Sequence, residues 1–199
     1  MQITGGNDER RDRSLEVWDL SLRLFHWLLA SAFFVAWWSE GRDLRLHMIA
    51  GSIIAGLLLY RFIWGFCGDR YARFSVFRPS RASVVRHLRS LLRLQPGDHV
   101  GHTPVGSLMI FALLGCLLLV ALTGMALSGL QMGTGLFAAL NADFATELLI
   151  QDLHRWCLNL LLMLVGIHLA GVAAESLLQR RNLVAAMITG KKTIKEVKR

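Results

Sequence analysis

His154 and His168 stand fourteen positions apart on one long apolar stretch, and His26 and His47 sit inside two others. Histidine is expensive in hydrocarbon and rare in a spanning helix unless it lines a cavity or holds a partner. At about 100° per residue, fourteen steps fall about 40° short of four full turns, so both rings leave one face of the helix. They lie about 21 Å apart along its axis, roughly one in each leaflet of a hydrocarbon core about 30 Å thick. That spacing suits two flat cofactors held one above the other across a membrane. Haem, whose iron takes imidazole as an axial ligand, is the obvious one.

The elements that must carry these rings are legible from hydropathy. The chain of 199 residues is 54% hydrophobic, with a mean hydropathy of +0.45, too apolar for an ordinary soluble domain. Four stretches are long enough to span a bilayer, about 22–38, 47–65, 105–128 and 155–178. Four spans with short connections predict an all-α fold, an integral membrane four-helix bundle forming a single membrane domain over residues 1–199. A cleaved signal peptide is the rival reading of the first span, given Arg10–Arg13 and the small residues Ala30, Ser31 and Ala32. Cleavage there would discard His26, and the apolar run continues through Val35 and Trp38, so a retained helix is expected.

Charge sets the orientation. The net charge of +8 would suggest nucleic acid in a soluble protein, but its distribution points elsewhere. Arg10, Arg11 and Arg13 precede the first span, seven arginines from Arg70 to Arg93 crowd the second connection (66–104), and Arg180, Arg181 and five further cations follow the fourth. The outer loop, 129–153, has no Lys or Arg and carries Asp143, Glu147 and Asp152. The positive-inside rule then places both termini and the basic connection in the cytoplasm. Within that connection, Ser83–Leu94 sets Val84, Val85, Leu88, Leu91 and Leu92 on one face among arginines, which reads as a short basic helix on the anionic leaflet. Leu136, Leu140, Phe144 and Leu148 recur every four residues, so an amphipathic helix is expected in the outer loop as well, capping the bundle or meeting a partner protein.

With directions assigned, depth pairs the histidines. Span one runs outward with His26 near its inner start; spans two and four run inward with His47 and His154 at their outer ends. His168 lies four turns deeper. The expected pairs are therefore His26 with His168 and His47 with His154, each joining two helices across a ligand slot. Small residues nearby (Gly51, Ala55, Ala30, Gly166 and Gly171) leave room for a porphyrin or serve close helix packing. Arg23, Arg45, Arg61 and Arg155 sit at span ends, where they snorkel to headgroups or pair with haem propionates; Arg155, beside His154, is the best propionate candidate. Asn159 would meet a quinone or bond another helix. His87, His99 and His102 lie in the basic connection and take no ligand role. Cys67, Cys116 and Cys157 form no C-x-x-C-H motif, which excludes covalently attached haem, and read as small packing residues.

Five segments carry a wider likeness: "WDLSLRLFHWLL", "LHMIAG", "RYARFSVFRPSR", "GHTPVGSLMIFALLG" and "DLHRWCLNLLLMLVGIHLAGV". They resemble the bacterial cytochrome b561 and nickel–iron hydrogenase b-type cytochrome family, from about Val17 to Lys192. The resemblance implies two non-covalent b-type haems, with the family's ligand positions falling on His26, His47, His154 and His168. It also implies electron transfer between a quinone pool and a partner such as a hydrogenase or c-type cytochrome. "GHTPVG" matches a family feature and gives His102 a part in starting the third helix. The expected function is thus a membrane electron carrier, with a self-contained quinone-linked oxidoreductase as the alternative. A histidine-based proton channel or transporter is the rival of another class, but between His154 and His168 only Arg155 and Asn159 are strongly polar, a poor proton path.

Overall fold

The computed structural model describes residues 13–16, 18–68, 73–74, 80–92, 103–179 and 182–194. Its elements, in chain order, are strand β1 (Arg13–Glu16), helices α1 (Leu20–Ser39), α2 (Leu44–Cys67), α3 (Arg81–Leu92), α4 (Pro104–Met132), α5 (Phe144–Gln179) and α6 (Leu183–Thr189), and strand β2 (Lys191–Ile194). Four of them, α1, α2, α4 and α5, are long and apolar enough to cross a membrane. No more than 22% of any of their most apolar windows is buried within the protein, so the remaining apolar surface calls for lipid as its solvent.

Short polar signals start these helices. Asp19 accepts a hydrogen bond from the Leu22 amide, and Asp43 does the same for Leu46, each meeting a donor that the first turn leaves open. At α4 the Thr103 hydroxyl accepts from the Gly106 amide and Pro104 supplies a first residue that needs no donor. The "GHTPVG" segment thus starts the third span through Thr103 and Pro104, while His99 and His102 lie outside the described residues. Helix α4 ends on Gly133, whose φ of 61° suits the left-handed cap.

Helix α1 packs along α2 and α4 along α5, and α2 against α4 joins the two hairpins. At their meeting lie Ala32, Ala36, Ala50, Ile54, Leu58, Cys116, Leu117 and Leu161, mostly small side chains that bring the backbones close. The Cys116 thiol donates to the Cys157 carbonyl across α4 and α5 at 3.3 Å, so these two cysteines serve packing as expected; Cys67 is exposed and does not.

Three features depart from the sequence reading. The outer loop holds no separate amphipathic helix: residues 136–139 form a turn and the four-residue apolar repeat continues into α5, which starts eleven residues before the expected 155. The connection is therefore shorter than 129–153. The second departure is a two-stranded antiparallel ribbon, β1 with β2, pairing Arg13 with Ile194 and Glu16 with Lys191. It ties the start of the chain to its end, helped by the Trp18 amide on the Gly190 carbonyl and by the Arg23 guanidinium on the Ile188 carbonyl. The third is Arg61, which at 4% exposure is buried under Phe74 and does not snorkel. The short basic helix is present as α3, packed on α4.

Candidate functional site

The four histidines of the spans gather into two groups at opposite ends of the bundle. His47, in the first turn of α2, and His154 of α5 face each other with ring centroids 6.4 Å apart and planes at 76°. At the other end His168 of α5 lies close enough to His26 of α1 for the two imidazoles to interact electrostatically. Each group draws one ring from the α1–α2 hairpin and one from α5.

The first pair is held with care. The Nδ1 of His47 lies 2.9 Å from the Ala36 carbonyl of α1. A carbonyl only accepts, so Nδ1 carries the proton and Nε2 keeps a free lone pair. The Nδ1 of His154 lies 2.9 Å from the Thr123 hydroxyl of α4. That hydroxyl gives its own hydrogen to the Leu119 carbonyl at 2.7 Å, leaving its oxygen to accept from the imidazole. The Val120 carbonyl lies 3.0 Å from the same hydroxyl and gives its hydrogen a second acceptor. Thr123 therefore fixes on His154 the tautomer that Ala36 fixes on His47. Beside it, a Cβ at Gly124 would stand 3.1 Å from His154 Cε1, so glycine there is what lets the ring sit against α4.

Two imidazoles with Nδ1–H anchored and Nε2 free could hold a metal between them, oriented by the kind of outer-shell hydrogen bonds found at metal sites. An iron bound by two imidazole nitrogens at about 2 Å each, with each nitrogen about 1.1 Å from its ring centre, needs centroids roughly 6.3 Å apart. The observed 6.4 Å fits. Among the described residues no three or more of His, Cys, Asp and Glu converge on one point.

At the second pair the Nδ1 of His26 is buried without a hydrogen-bond partner. An orphaned nitrogen is costly in a packed interior and useful at a ligand site. The glycines bear on the same question. A Cβ added at Gly51, Gly166 or Gly171 would meet nothing within 4 Å, so these positions flank open space and are not close helix contacts. A cleft of about 390 Å³ lined by Glu40, Gly41, Arg42, Leu44 and His47 opens at the α1–α2 turn, beside the first pair.

Arg155, the expected propionate partner, has a side chain 63% exposed and approaches Asp152 at 4.0 Å, a surface pair of little energetic weight. Asn159 is exposed on α5. The sequence reading missed Thr123, Gly124 and the Ala36 carbonyl. A Thr-Gly pair inside an apolar span is a visible signal for the first two; a backbone carbonyl leaves none.

The family profile described as prokaryotic cytochrome b561 matches residues 17–190. A probable Ni/Fe-hydrogenase B-type cytochrome subunit of Azotobacter chroococcum mcd 1 is 28% identical over 229 residues, covering 97% of this chain and 95% of its own. Proteins of the same description from Cupriavidus necator and Rhizobium leguminosarum bv. viciae are 27% and 24% identical, covering 90% and 92% of this chain and 87% and 91% of theirs. No solved structure matches.

Proposed function

The chain belongs to the prokaryotic cytochrome b561 family, and from that footing we propose a di-haem carrier that moves electrons through the membrane between a quinone pool and a hydrogenase. As a b-type cytochrome of four membrane-crossing helices, it is an electron-transport protein that uses haem b. The count of two haems, their ligands, the quinone and the partner are the finer reading. The observation that carries it is the His47–His154 pair, with both Nδ1 atoms anchored and the rings at the spacing two axial ligands require. The descriptions of the relatives as subunits of Ni/Fe hydrogenases support the partner.

In this reading His47 and His154 hold one haem and His26 and His168 the other. Bound there, haem would supply a one-electron Fe(III)/Fe(II) couple. Ala36 and Thr123 hold the imidazole planes and keep each Nε2 unprotonated. The apolar faces of α2, α4 and α5 exclude water. Arg155 remains a candidate contact for a propionate of the His47–His154 haem. The excess of Lys and Arg before α1, between α2 and α4, and after α5 orients the chain with its termini and the His26–His168 pair toward the cytoplasm of a bacterial inner membrane.

The test is a reduced-minus-oxidised spectrum with a pyridine haemochrome count on the purified chain and on His168→Ala. Two haems are expected in the parent and one in the variant, the survivor being the one that His154→Ala loses. Loss of the same haem in both variants would overturn the pairing. A parent without a Soret band would overturn the function.

A further inference from the structure

We propose that Arg61 and Trp64 form a carboxylate-binding site for the propionates of the haem between His26 and His168; the proposal rests on the assignment in the preceding section. Arg61 follows His47 by fourteen residues, the same interval that separates His168 from His154. Helices α2 and α5 run in the same direction, since the intervening α4 reverses the path once in each connection. His47 and His154 are level with each other, so one common interval brings Arg61 to the depth of His168, on the face of α2 that carries His47. That face is the buried one: Ala50, Ile54, Leu58, Arg61 and Gly65 form the interior stripe of the helix.

Arg61 is 4% exposed, with the Phe74 ring 4.5 Å over its guanidinium carbon, and its Nη1 has no hydrogen-bond partner. The acidic group that acts on it is Asp19, at the start of α1, through space and without an ion pair among the described residues. One turn further, the Trp64 indole Nε1 is also buried without a partner, and its ring is stacked on Tyr60, whose hydroxyl bonds Ser21 of α1. A buried guanidinium with an unused donor is a costly arrangement that an anion relieves. Its planar fork matches a carboxylate, and an indole N–H adds a further donor. At 4% exposure, with the Phe74 ring on it, the guanidinium is closed to bulk solvent, which favours a ligand held within the bundle over a mobile lipid headgroup.

The test compares haem with haem dimethyl ester, which lacks both carboxylates, in reconstitution of the full chain in detergent, with occupancy of the His26–His168 site read by its own spectral component. The parent should prefer haem at this site by tenfold or more, and Arg61→Gln should reduce the preference to threefold or less. The other site should change in neither. A redox titration gives a second readout: removing the cation should shift the equilibrium toward Fe(III) about tenfold, 59 mV for one electron, while Arg61→Lys should keep most of the parent value. An undiminished preference and an unmoved midpoint in Arg61→Gln would overturn the proposal and leave the histidine assignment standing. If that variant fails to accumulate, Trp64→Phe carries the same comparison, and an unchanged preference in it overturns the proposal. A parent with no haem at this site overturns the proposal together with the assignment.

Discussion

Thr123→Val deletes one hydroxyl and keeps the shape of the side chain. In the parent the hydroxyl oxygen of Thr123, a residue 9% exposed on α4, accepts from His154 Nδ1 at 2.9 Å while giving its hydrogen to Leu119. Leaving a buried donor unsatisfied costs about 1–3 kcal/mol. The bond is only part-buried, which sets the expected loss at the low end, about 1 kcal/mol. The affinity for the haem of this pair should therefore fall roughly fivefold, just short of the tenfold to hundredfold seen when outer-shell partners of metal ligands are removed. A hydrogen bond from Nδ1–H also pushes electron density onto Nε2 and favours Fe(III), so its removal should raise the midpoint potential by a few tens of millivolts, below the 59 mV of a full tenfold change. The assay is a redox titration of the visible band with a haemochrome count, and Thr123→Ser, which retains the hydroxyl, is the control. An unmoved midpoint with full haem content in Thr123→Val would refute the tautomer argument, as would an equal change in Thr123→Ser.

Gly124→Val should cost most of the haem of the same pair while sparing the other, because its Cβ starts 3.1 Å from His154 Cε1 and two methyl groups follow; equal loss of both haems would point to misfolding and not to the site. Gly190→Ala should destabilise the closure of the chain's ends by roughly 1–3 kcal/mol. The φ there is +79° and the new Cβ would lie 2.8 Å from the Trp18 carbonyl. Faster proteolysis ahead of α1 is the readout, and an unchanged rate would speak against it. Asp143 is held below the usual carboxylate range by hydrogen bonds from the Thr146 side chain and amide. A depressed folded value means that this cap is fully present above about pH 4 and is lost as the pH falls through that depressed value. The Thr146 amide should lose exchange protection in acid, after correction for intrinsic rates, and in Asp143→Ala at every pH; protection that ignores both would refute the cap.

Much of this arrangement was legible because hydrocarbon is an intolerant solvent. An imidazole on an apolar run demands a reason, and four such rings with alternating helix direction leave one pairing by depth. For Arg61 the sequence left snorkelling and propionate pairing both open; its burial under Phe74 removes the first, and nothing local announced that cover. The fourteen-residue interval from His47 was the overlooked signal. The outer helix was misread because Leu136, Leu140, Phe144 and Leu148 keep helical spacing across a turn, and Gly133 and Gly135, both at positive φ, were the punctuation that mattered. The β1–β2 ribbon had no signature: RSLE and KKTI alternate too little to read as strands, and their pairing joins segments about 180 residues apart. Ala36 shows a further limit, since its part is played by a carbonyl that every residue possesses.

Both imidazole pairs take one ring from the first hairpin and the other from α5, and this fixes an order of biogenesis. A ribosome delivers α1 and α2 long before α5, so the early hairpin waits in the bilayer with His26 and His47 each lacking its opposite number. If the pairs hold porphyrins as proposed, neither slot would close until the last long helix is threaded. On the proposed assignment cofactor capture would be a late event in the life of the nascent chain, and β1 can pair only once β2, the last described segment, has emerged.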